Sequence, residues 1–130
     1  MHARLMLGLL VALVPAAAAA QHAASGAHLP GVHGGVVEDL GPYHAEVVAK
    51  GGDLVAYLFD GKMRVVDTAG AKAKATIQAG GKATSIELSP SEPNLLKGSG
   101  AFAAGKGTKV VLFLTMPGQK TVQGRFANPE

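Results

Sequence analysis

Thr108–Met116 reads TKVVLFLTM, and its alternation decides the fold. With a period of two, Val110, Leu112, Leu114 and Met116 share one face of a strand, and Val111 and Phe113 share the other. Both faces are apolar, so the strand is expected to be central in its sheet. Pro117-Gly118 then turns the chain into a partner strand over Thr121–Phe126.

Working back towards the N-terminus, the same grammar repeats. Gly35–Leu40 is a candidate strand closed by Gly41-Pro42, and Tyr43–Ala49 is a second, ended by Lys50-Gly51-Gly52-Asp53. Leu54–Phe59 follows, then a short piece over Met63–Val66. Ala73–Gln78 and Thr84–Leu88 flank Ala79-Gly80-Gly81-Lys82, a hairpin signal. In Ala71–Ala75 (AKAKA) alternation sends the lysines outward. Ser89–Asn94, with two prolines, reads as a loop, and Leu95–Phe102 as a weak strand. No stretch after the leader holds a helical apolar period, and there is no internal repeat. The expected fold is all-β: a small antiparallel sandwich or open barrel of about seven to eight strands.

Composition bounds the rest. With 130 residues the chain makes one domain, and with no Trp and 5% aromatics its core must rest on Val, Leu, Ile and a few Phe. Cysteine is absent, which removes disulfides, thiolate metal sites and cysteine nucleophiles. Residues 1–20 read as a signal peptide: His2 and Arg4, an apolar run over Leu5–Val14, Pro15, then Ala16–Ala20. That run is too short to span a bilayer, so the mature chain is expected in the periplasm or secreted, not embedded in the membrane. Residues 21–31 form an expected flexible tail, and 32–130 a single β domain. The net charge of +3 falls to about +2 without Arg4, and the lysines are dispersed. No basic patch with interleaved aromatics marks a nucleic-acid partner.

The histidines are the most informative feature. His22, His28, His33 and His44 all precede residue 45, and none follows. Without Cys, a transition-metal site must use His, carboxylate or Met. His44 and Glu46 are two apart in a strand and face the same side, so they can converge on one ion. His33 stands before Gly34-Gly35 at the mouth of the first strand and would have to fold over its end. In a hairpin about Gly41-Pro42, Glu38 or Leu40 lies closer to His44 than His33 does. A cut after Ala19 would leave Ala20-Gln21-His22, a square-planar nitrogen set for Cu(II) or Ni(II). The plainer alternative is that Glu46 orients His44 on a polar strand face and the tail histidines are solvated. Met63 and Met116 read as packing residues. No Gly-x-Ser-x-Gly elbow or phosphate loop is present, so an enzyme is not expected.

His33-Gly34-Gly35-x-Val37 with Gly41-Pro42-Tyr43-His44-x-Glu46-Val47-Val48, and later Val66–Ala73 (VDTAGAKA), resembles a small periplasmic module of proteobacterial heavy-metal handling systems. That module is carried by some adaptor subunits of cation-efflux pumps and by stand-alone secreted proteins. The resemblance covers roughly residues 33–126. It implies a β-rich domain that binds or relays zinc or copper, with His33, His44 and Glu46 as the metal ligands and an efflux-system component as a partner. The hairpin and lipoyl-type segments of a full adaptor are missing, as is a His- or Met-rich loop. The expected function is therefore that of a divalent-metal-binding accessory protein for one Zn(II) or Cu(II) ion, serving heavy-metal resistance, with His28 or His22 as an optional further ligand. The competing reading is a metal-free β-sandwich module for protein interaction, in which the same motif is structural.

Overall fold

A computed structural model describes residues 29–130. The leader expected over 1–20 and residues 21–28 of the tail expected over 21–31, with His22, His28 and the Ala20-Gln21-His22 set, lie outside the described residues. The described residues hold strands and no helix: β1 (Leu29–Pro30), β2 (Val36–Leu40), β3 (Tyr43–Lys50), β4 (Asp53–Phe59), β5 (Lys72–Ala79), β6 (Lys82–Pro90), β7 (Leu95–Ser99), β8 (Lys109–Thr115) and β9 (Val122–Ala127).

All pairings are antiparallel, in the order β1-β2-β3-β4-β7-β6-β5-β8-β9. The two halves of the sheet are joined by β6. Its body pairs with β5 from Ala73↔Leu88 to Ala79↔Lys82, and its end pairs with β7 at Ser89↔Lys97 and Pro90↔Leu96. At the far edge β9 swings back onto β2. A Cβ on Gly124 would stand 2.6 Å from the Asp39 carbonyl oxygen, and one on Gly41 2.5 Å from Val122 Cγ1. The sheet is thus a nearly closed small barrel, the all-β fold expected from the strand pattern. The central place of β8, between β5 and β9, follows from its two apolar faces.

Turn chemistry sets the registers. Gly80 and Gly81 both have positive φ, 59° and 74°, as a two-residue type I′ hairpin requires, and Ala79 pairs with Lys82 across them. The core is mostly aliphatic. Leu40, Val47, Leu54, Leu58, Ile77, Leu96, Leu112 and Leu114 are buried, with Phe126 the largest fully buried side chain. Alanines such as Ala45, Ala56 and Ala75 complete it.

Four local expectations change. Leu29–Pro30, expected in the tail, pairs with Val36–Val37 as β1. Met63–Val66 contributes only a bridge between Phe59 and Val65. Asp60 holds this loop, accepting from the Lys62 and Arg64 N–H groups, and Met63 takes φ 61°, which no strand can accommodate. Ser89 and Pro90, expected in a loop, end β6; Pro90 is terminal, where its missing N–H costs the ladder little. Finally, β7 stops at Ser99 instead of running to Phe102.

Candidate functional site

The β3 strand carries two faces. Ala45, Val47 and Ala49 point into the core, so His44, Glu46 and Val48 lie on the outer face. Register continues that face onto the neighbours. Asp39 stands opposite His44 on β2, and Phe59 opposite His44 on β4. Val37 and Tyr57 flank Glu46 in the same way.

Glu46 is only 1% exposed although it sits on the outer face. The loop over residues 31–35 folds across it. Gly34 N–H donates to the Gly31 carbonyl at 3.2 Å, and Gly31 N–H to the Gly35 carbonyl at 3.2 Å, closing a tight turn with Gly34 at φ 80°. The Glu46 carboxylate fills the underside of that turn. Its Oε1 accepts from His33 N–H at 2.7 Å and Gly35 N–H at 3.1 Å, and its Oε2 meets His33 Nδ1 at 2.8 Å. Glycine is required at two places: a Cβ on Gly31 would overlap the Glu46 carboxyl, and one on Gly35 the Val47 carbonyl oxygen.

His33 is fixed from a second direction. Its ring lies parallel to Tyr57, with centroids 3.7 Å apart and planes 2° from parallel. When Glu46 is ionised and the imidazole is neutral, Nδ1 must carry the hydrogen, because a carboxylate only accepts, and Nε2 then keeps its lone pair. The His33 side chain is 41% exposed. The arrangement therefore presents one oriented imidazole nitrogen from a rigid base.

His44 makes a separate pair. Its Nδ1 lies 2.9 Å from Asp39 Oδ1, its cross-strand neighbour. Of the three side chains named from the sequence, the structure joins His33 to Glu46 and gives His44 to Asp39. Among the described residues no group of three His, Cys, Asp or Glu side chains stands close enough to hold a metal ion. No buried side-chain nitrogen or oxygen among the described residues lacks a hydrogen-bond partner, and both Glu46 oxygens are engaged, by His33 and Gly35. As three first-coordination ligands of one ion these residues do not fit. As two imidazoles each braced at Nδ1 by a carboxylate, they match the outer-shell pattern that commonly supports histidine ligands.

Sequence reasoning missed Tyr57 and Asp39. Both were within reach of it, since the hairpin about Gly51-Gly52 sets Tyr57 opposite Glu46 and the one about Gly41-Pro42 sets Asp39 opposite His44. No protein-family description, curated protein or solved structure matches this chain.

Proposed function

We propose that this domain is an extracytosolic accessory module that binds a divalent transition ion, Zn(II) or Cu(II), with His33 Nε2 as its principal ligand. The observation that carries this reading is the Glu46–His33–Tyr57 assembly, in which a buried carboxylate and a stacked ring orient one imidazole towards solvent. Glu46 then acts behind the ligand, not as one. A single imidazole holds such ions weakly, so His44, or His22 and His28 from the sequence before residue 29, must complete the set. The leader expected over residues 1–20 and the resemblance to efflux-adaptor modules support a periplasmic role, with an efflux-system component as the proposed partner.

A second reading has its own support. The clasp accounts for His33, Gly34, Gly35 and Glu46 as a structural device, and His44 is turned to Asp39. In that reading the domain is a metal-free interaction module.

Calorimetry with Zn(II) and Cu(II) on the tag-free mature protein, at about pH 7.5 and about pH 5.5, separates the two, because protonation of imidazole competes with metal. The metal reading requires one-to-one binding that weakens at the lower pH. It further requires loss on His33→Ala, and a fall of roughly 10–100-fold on Glu46→Gln. His44→Ala and the paired His22→Ala, His28→Ala variant identify the completing ligands. Binding no tighter than micromolar, unchanged by His33→Ala, leaves the interaction module as the function.

A further inference from the structure

On the other half of the ladder, the outer face of β5, β8 and β9 carries a cavity of about 190 Å³ that the His33 site does not use. Register defines its lining. Thr76, Val111 and Arg125 form one cross-strand row, and Gln78, Lys109 and Ala127 form the next. Val111 is only half-buried there, although its neighbours Val110 and Leu112 are core residues. Val111 and Ala127 give that face its apolar part, and Thr76, Gln78, Lys109 and Arg125 its polar part.

Lys109 and Arg125 are diagonal neighbours on adjacent strands, roughly 7–8 Å apart at the backbone, so both heads can reach one anionic group. Neither has an ion-pair partner among the described residues. Glu38 of β2, which has an interaction of its own, also lines the cavity and is its one carboxylate among the described residues, so two cations there face one anion.

We propose that this cavity is a binding site for a small carboxylate with a compact apolar body, the size of benzoate. The carboxylate lies between Lys109 and Arg125, with Thr76 and Gln78 as further hydrogen-bond partners, and the ring covers Val111.

The test is an NMR titration of the mature protein with benzoate, benzyl alcohol and benzylamine. Benzoate should give saturable shifts at the Val111, Arg125 and Ala127 amides, benzyl alcohol should bind more weakly, and benzylamine should not bind there. The Lys109→Gln, Arg125→Gln variant should bind benzoate at least roughly tenfold more weakly. Both side chains are exposed, and an unchanged spectrum elsewhere shows that the variant is folded. Benzoate that fails to saturate in the millimolar range, benzyl alcohol binding as well as benzoate, or a variant that binds benzoate unchanged would each overturn the proposal.

Discussion

At the scale of single residues, Glu46 stabilises most by satisfying others. Two backbone N–H groups and an imidazole depend on its buried carboxylate. Hydrogen bonds to a charged group contribute about 1.5–3 kcal/mol each, and donors left buried without a partner cost further. Glu46→Ala should therefore lose about 3–5 kcal/mol in urea unfolding, and the His33 and Gly35 amides should lose protection from hydrogen exchange. Tyr57→Leu removes the stack and should cost about 1 kcal/mol, whereas Tyr57→Phe keeps the ring and should be nearly neutral. Period two put His44 and Glu46 on one face from the sequence alone. It could not show that Glu46 would be covered, because the cover comes from a loop whose path depends on Gly31, Gly34 and Gly35 acting together. His33 reaches Glu46 over the strand end, a route that strand spacing leaves open but does not select.

At the scale of elements, glycine placement separates close packing from loop freedom. A Cβ on Gly98 would run into the Glu87 carbonyl oxygen, where β7 passes β6. Backbone cannot swing aside as a side chain can, so Gly98→Ala should cost about 1–3 kcal/mol. Gly105 has nothing within 4 Å of a modest side chain and no positive φ, so Gly105→Ala should be neutral or slightly stabilising by denaturant titration. The β4–β5 connection is tied down twice. Thr68 Oγ1 donates to the Leu95 carbonyl at 3.1 Å, and Asp60 clamps the Lys62–Arg64 turn. The Asp60 carboxyl lies below the ordinary carboxylate range, chiefly through the Arg64 N–H, then the Lys62 N–H and the Arg64 side chain, against an opposing desolvation effect. A depressed carboxyl stabilises above its unfolded value and loses that contribution as pH falls through its folded one. The Arg64 amide shift should follow this titration in acid, and Asp60→Asn should abolish the step. The strands were legible where apolar alternation was strong, as in β8. They were misjudged where a side chain overrode it, as Asp60 does for Met63, or where pairing was short, as in β1.

At the scale of the whole molecule, closure of the sheet governs how cooperatively it unfolds. The ladder runs from β1 to β9, and β2, next to one end, meets β9 at the other by contact at Gly41 and Gly124 without pairing. If that seam welds the halves into one cooperative unit, probes on either half must report a single transition. The chain supplies such probes: with no Trp and two tyrosines, and with the Tyr43 hydroxyl donating across the seam to Gln119 Oε1 at 2.8 Å, a Tyr43→Phe background leaves Tyr57 on β4 as a fluorophore that senses only the half that carries the His33 site. Far-UV circular dichroism senses every strand. The absence of cysteine removes disulfide exchange as a source of irreversibility. The two urea midpoints should coincide, with refolding on the millisecond-to-second scale typical of all-β topologies. Gly124→Val crowds the Asp39 carbonyl and prises β9 from β2, so it should lower both midpoints together, by about 1–3 kcal/mol. A variant whose circular dichroism midpoint falls while its tyrosine midpoint stays fixed would mean that the β2–β4 half stands without the seam. The clasp around Glu46 would then be independent of barrel closure.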